Sequence, residues 1–134
     1  MRLARPVALA ALAALLLCAS GKEVQVGGAA GWTLPNPAIQ QGAGPQAQKE
    51  LPPIAADVGD VLIFRWTPGE HAVVELPDEA KYFTCARLAF AQRAGSQDTP
   101  FRFVVPRPGT FFFACPIDSH CEQGLKVRVV ANAP

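Results

Sequence analysis

The chain has no block of Lys and Arg, which argues against a nucleic-acid or anionic-lipid surface. It has no Asn-x-Ser/Thr acceptor, and its last residues, VVANAP, lack the hydrophobic tail that a glycolipid anchor needs. No pair of carboxylates stands out for acid/base work and no nucleophile sits beside a base, so an enzyme is not expected. No repeat or second domain is visible. Histidine is scarce: His71 and His120 are the only two, so any chemistry that needs imidazole falls on them.

What is present begins with MRLARPVALAALAALLLCASGKE. Arg2 and Arg5 precede an apolar core from Val7 to about Cys18, which is too short to span a membrane comfortably and is followed by small residues. This is the pattern of a secretory signal peptide over 1–21, with Ala19 and Gly21 meeting the small-residue rule for cleavage before Lys22 or within a residue or two of it. Leu17 is too bulky for a lipoprotein anchor on Cys18. The expected product is one secreted domain, 22–134, extracellular or at the cell surface, monomeric and with no transmembrane segment. Losing Arg2 and Arg5 takes the twelve basic side chains to ten against eleven acidic ones. Three cysteines remain, Cys85, Cys115 and Cys121, and an odd number in an oxidising compartment leaves at least one without an intramolecular partner.

From residue 58 onward, short alternating runs rich in Val and Phe predict half-buried antiparallel strands over Asp60–Trp66, His71–Leu76, Phe101–Val105 and the segment LKVRVV. In the last of these, Leu125, Val127 and Val129 point one way, and Lys126 and Arg128 the other. Pro106–Gly109 reads as a hairpin-type connection into TFFFAC. One helix is predicted, over all or part of Asp78–Gln92, with a strand as the alternative around Tyr82–Cys85. Residues 35–53 are rich in Pro, Gly, Gln and Ala and read as a long surface loop. Trp32, Trp66 and Phe111–Phe113 read as core. Together these elements predict an all-β sandwich or small barrel.

Cys115 closes an apolar strand, His120 follows in the next loop, and His71 opens another strand. Two imidazoles and a thiolate are the trigonal set that holds copper in electron-transfer sites. If HAVVEL and TFFFAC are neighbours, His71 and Cys115 meet at one end of the fold and the PIDS loop brings His120 over them. Taken singly, Cys115 has a disulfide with Cys121 or Cys85 as its alternative, and each histidine a solvated place in a loop. Zinc has a use for the same donors but asks for a fourth ligand or water. With Cys115 on a metal, Cys85 and Cys121 are left to pair, stapling the His120 loop to a distant segment at about 3–4 kcal/mol of stabilisation.

The stretches VQVGGAAGW, VGDVLIFRW, HAVVEL, YFTC and GTFFFACPIDSHCEQGLKVRVV resemble the phytocyanins, blue-copper proteins of the cupredoxin superfamily, over Val24–Gly31 and most of 58–130. The resemblance implies a cupredoxin-like Greek-key β-sandwich of two sheets and eight strands. It implies one type 1 copper ion on His71, Cys115 and His120, a Cys85–Cys121 disulfide, and one-electron transfer with a redox partner it does not identify. In three places the chain departs from the family pattern. Leu125 stands where a Met or Gln axial ligand belongs and cannot coordinate, with Gln123 two residues out of register. Ala72 replaces an Asn after the first ligand, leaving its backbone N–H to reach the Cys115 sulfur. Residues 35–53 lack the family's aromatic pattern. The rival expectation is a copper-free structural or recognition module on the same scaffold. At the rim, Pro116 and Ile117 would frame the His120 edge, and Asp118 and Glu122 would steer a cationic partner.

Overall fold

Val61–Phe64 (β5), in the first of the alternating runs, is the middle strand of a three-stranded sheet. Glu23–Gln25 (β1) lies parallel to it with Val24 opposite Leu62, and Phe101–Val104 (β8) lies antiparallel with Phe103 opposite Leu62. The second sheet has five strands, in the order Ile54–Asp57 (β4), Lys126–Asn132 (β10), Gly109–Ala114 (β9), Val73–Leu76 (β6) and Gly95–Ser96 (β7). Strands β4 and β10 run parallel there, and the other neighbours run antiparallel. The structure, a computed structural model, describes residues 21–35, 39–41, 48–86 and 95–133.

Between the sheets lies the main core. Trp32, Leu62, Phe64, Phe113, Cys115, Leu125, Val127 and Val129 are completely buried in it, and Phe64 and Phe103 pack tilted or edge-on against Phe113 at 5.0 Å between ring centroids. Aromatic rings in this arrangement bury large apolar areas and add a favourable edge-to-face term. Phe111 and Phe113 face this core, whereas Phe112 points through the sheet to a second cluster with Leu76, Tyr82, Cys85, Ala114 and Cys121.

The second cluster lies under the helix Glu79–Thr84 (α1). Its N-cap, Asp78, accepts the Lys81 N–H at 2.8 Å, satisfying one of the free donors of the first turn. The helix ends where Cys85 takes the left-handed conformation (φ 53°). It thus forms in the first part of the Asp78–Gln92 span, and residues 87–94 lie outside the described residues. Tyr82 to Thr84 is helical, not a strand.

Four other expectations are corrected. The alternation of side chains sets which face is buried but not strand direction, so the two parallel pairings were invisible to it. Pro106–Gly109 is no hairpin: β8 and β9 belong to different sheets, and the chain crosses between them. The 35–53 span is not simply a surface loop, since Ile39–Gln41 (β2) and Gln48–Glu50 (β3) pair antiparallel and Glu50 and Leu51 are buried. Strand β6 starts at Val73, so His71 precedes it rather than opening it. Of the expected leader, 1–21, residues 1–20 lie outside the described residues.

Candidate metal centre

Strands β6 and β9 are neighbours, with Val74 opposite Ala114. That register places the residues just before β6 beside those just after β9, so His71 and Ala72 come up against Cys115. The chain then turns through 116–124. The His120 N–H donates to the Ile117 carbonyl at 3.1 Å, and the Leu125 N–H donates to the His120 carbonyl at 2.9 Å. Gly124 (φ 108°) makes the last bend, where a Cβ would press on Lys49 and Pro35. Only glycine takes that conformation without strain.

These turns bring the three candidate residues together. One donor atom from each of His71, Cys115 and His120 lies within 4.8 Å of the other two. The two Nδ1 atoms are 3.2 Å apart, and the Cys115 sulfur is 3.4 Å from the His120 Nδ1. Two ring nitrogens at that spacing can both reach one ion through bonds of about 2 Å. The donor set, one soft thiolate and two imidazoles, fits copper chemically.

Burial biases both His71 and Cys115 towards their neutral forms. Burial holds the His71 imidazole below its usual range, with repulsion from His120 adding and the Glu70 carboxylate opposing, so the ring is neutral and its lone pair available. Burial pushes the Cys115 thiol up, opposed by the backbone N–H groups of Ala72 and Ile117 that donate to its sulfur, while the Asp118 carboxylate adds to the rise. Binding a cation releases that thiol proton, which makes affinity depend on pH.

Leu125 is fully buried beside this cluster, and its carbonyl accepts the Cys115 N–H at 3.0 Å. Gln123 is elsewhere: it is exposed, and its side-chain amide donates to the Ser119 hydroxyl at 2.7 Å. His71 is buried and His120 only partly so, with Pro116 and Ile117 also partly exposed and Asp118 and Glu122 exposed on the same loop. Cys85 and Cys121 form a disulfide, and Cys115 is a free, buried thiol.

Family comparison agrees with this geometry. The model of the Plastocyanin-like domain matches residues 54–125, more than half of the chain. The chain belongs to the phytocyanins. Early nodulin-like protein 14 of Arabidopsis thaliana is 33% identical to this phytocyanin over 96% of the chain. The chain spans 66% of that relative's length and 55% of the length of a second Arabidopsis early nodulin-like protein. Among solved structures, cucumber basic protein, described as a blue copper protein, is 25% identical with a TM-score of 0.61 over 82% of this chain and 99% of its own. Cucumber stellacyanin, solved with Cu2+, shares the fold with a TM-score of 0.65 at 20% identity, covering 86% of this chain and 98% of its own.

Two supports of the phytocyanin site have no signal in the sequence. The Trp32 indole N–H donates to the Ala72 carbonyl at 2.9 Å across 40 residues, tethering the residue whose own N–H meets the sulfur. Behind β10, the face of Lys126 and Arg128 is covered by α1 rather than by solvent. Lys126 is fully buried, its ammonium donates to the Tyr82 carbonyl at 2.8 Å, and Glu50 accepts from Tyr82 and Arg128 at 2.8 and 3.2 Å. A lone Glu in a Pro- and Gln-rich stretch gives no hint of such a role.

Proposed function

We propose that this phytocyanin is a secreted type 1 copper protein that transfers single electrons, with no substrate turnover. The observation that carries the reading is the convergence of the His71, Cys115 and His120 donor atoms at one end of the sandwich. When bound there, copper supplies a one-electron couple strongly mixed with the thiolate sulfur. The protein's part is to hold its donors still. Ala72 and Ile117 fix the Cys115 sulfur by hydrogen bonds, the Cys85–Cys121 disulfide anchors the residue next to His120, and the buried Leu125, in the same core cluster as Cys115, would cover a bound ion with hydrocarbon. A site preorganised in this way needs little rearrangement between oxidation states.

Leu125 offers no donor atom and adds apolar cover, both of which would favour the lower charge of Cu(I) and raise the reduction potential. His120, partly exposed between partly exposed Pro116 and Ile117, is the contact through which a redox partner, protein or small molecule, exchanges electrons. Asp118 and Glu122 beside it favour a cationic partner. The working form is the monomeric domain 22–134, delivered outside the cell by the 1–21 leader. Among the described residues, no helix is long and apolar enough to cross a membrane.

The test is spectroscopic. Copper(II) added to the purified domain should give an intense visible thiolate-to-copper band and an electron paramagnetic resonance spectrum with narrow copper hyperfine splitting, both lost in Cys115→Ser. A colourless, metal-free protein whose Cys115 thiol still titrates would instead make it a structural or recognition module.

A further inference from the structure

The carboxylate of Asp60 is buried, with the residue 3% exposed, at the turn into β5. Its Oδ2 accepts the Asp57 backbone N–H at 2.9 Å, and its Oδ1 accepts the backbone N–H of Lys22 at 3.1 Å. The Lys22 carbonyl in turn accepts the Val61 N–H at 2.9 Å, so the Lys22 nitrogen is fixed at the head of the β1 and β5 pairing. The other charges facing this carboxylate are the Lys22 ε-ammonium, 3.4 Å from Oδ2 on a largely exposed side chain, and Asp57, 3.6 Å beyond that same ammonium. The Glu23–Arg102 pair, at 3.0 Å, follows in the next residue of β1 and is exposed.

Just upstream, Gly21 lies so close to the 59–60 backbone that any Cβ there would collide with the Gly59 carbonyl. Position 21 therefore admits only glycine in this path, and the leader pattern puts the scissile bond directly after it. A buried carboxylate gains from a close opposite charge, and here its one cationic neighbour among the described residues is the ε-ammonium of Lys22 on a largely exposed side chain, while the backbone N–H of that same residue, which follows the expected cut, points at it without a charge.

We propose that the α-ammonium created by cleavage between Gly21 and Lys22 is a built-in partner of Asp60, so that removal of the leader completes the fold. A secretory peptidase supplies the step with one water: the Gly21–Lys22 amide is hydrolysed, the leader leaves with a Gly21 carboxylate, and the Lys22 amine takes up a proton. The neutral donor becomes a cation in the same place, and a charge-assisted hydrogen bond replaces an ordinary one. The cut before Lys22, rather than a residue to either side, is the one that puts the charge on Asp60. The inference is independent of copper.

The described strands and helix all lie between residues 23 and 132, so the domain 22–134 holds the whole described fold. Two forms of it are compared, one with a free Lys22 α-amine and one Nα-acetylated, which keeps an N–H donor but not the charge. In the free form the α-amine should titrate above its ordinary value of about 7.7–8.0. A group whose folded pKa is raised contributes stability below its unfolded pKa and loses it as pH rises through the folded one. The free form should therefore melt at a higher temperature than the acetylated form at pH 6, with the gap closing by pH 10. Asp60→Asn should return the α-amine to its ordinary range, and acetylation carries the test if that variant does not fold. An α-amine with an ordinary pKa, equal melting of the two forms at pH 6, or a secreted product whose first residue is not Lys22 would each overturn the proposal.

Discussion

Leu125 donates its backbone N–H to the carbonyl oxygen of His120 at 2.9 Å, while its own carbonyl accepts the Cys115 N–H at 3.0 Å. One residue therefore ties together the segments that carry two of the three candidate ligands, and it places a fully buried hydrocarbon side chain beside them. The backbone contacts survive substitution, so the side chain can be varied alone. Leu125→Met offers a thioether where none exists and should lower the reduction potential of the copper-loaded protein. Voltammetry of the two proteins in one buffer measures this, and an unchanged or higher potential would refute the axial assignment.

Leu125→Ala separates packing from electronics. Truncating a fully buried leucine leaves a cavity and should cost about 2–5 kcal/mol, read from urea unfolding of the copper-free protein. A loss under 1 kcal/mol would mean that the side chain is not core.

The Cys85–Cys121 bridge joins the end of α1 to the residue after His120, with a sequence separation of 36. Replacing both cysteines by alanine should destabilise the domain by about 3–4 kcal/mol, because the unfolded chain regains the freedom that the closed loop removes. The copper-binding curve of the folded variant should also weaken, since the His120 loop loses its anchor. Unchanged affinity would show that hydrogen bonds within 116–124 hold that loop unaided.

Side-chain type and spacing made the centre legible in the sequence. Cys115 directly follows β9, His71 lies just ahead of β6 and His120 in the loop between β9 and β10, and a period of two gave the core-facing residues of β10. Val127 and Val129 follow it, whereas the Phe111–Phe113 triplet, read as core throughout, divides between the two faces of β9, with Phe112 in the second cluster. Where the alternation said nothing, the structure had to supply the answer. Strand β4 pairs in parallel with β10 through contacts remote in sequence, and the Trp32 to Ala72 hydrogen bond spans 40 residues. Alternation gave the direction of Lys126 and Arg128, away from the main core, but not what lies there: α1 and Glu50 cover that face of β10 and supply carbonyl, carboxylate and aromatic partners.

Acid stability should depend on Asp60. The Asp57 N–H bonded to its carboxylate holds its pKa below the usual range, against a desolvation effect that would raise it, with Lys22 adding to the lowering. A carboxylate with a depressed folded pKa contributes stability above its unfolded pKa of about 3.9 and loses it as pH falls through the folded value. Asp60→Asn should therefore be about 1–3 kcal/mol less stable at pH 7. That deficit should shrink steadily below pH 4 as the wild-type carboxyl takes up its proton. A deficit independent of pH would assign the loss to shape rather than charge.

Glu50 is 1% exposed and faces two cations across Tyr82. Its carboxylate accepts from Tyr82 at 2.8 Å and from Arg128 at 3.2 Å, and its charge opposes the desolvation that lowers the Lys126 pKa. Burial, with Glu50 adding, holds the Tyr82 hydroxyl well above its usual pKa, so it stays a donor throughout the accessible range. Removing the carboxylate takes away the buried counterion and leaves Arg128 only the exposed Glu79 at 3.5 Å and Lys126 the charge of Glu122, a loss that exceeds the value of the bonds themselves. Glu50→Ala should lose about 3 kcal/mol, towards the lower end for broken buried pairs because the Arg128 side chain is a quarter exposed. Tyr82→Phe removes one donor but leaves Glu50 paired with Arg128, and should lose only about 1 kcal/mol. Urea unfolding at pH 7 gives both values. If the two losses are equal, the network is held together by the phenol and not by charge.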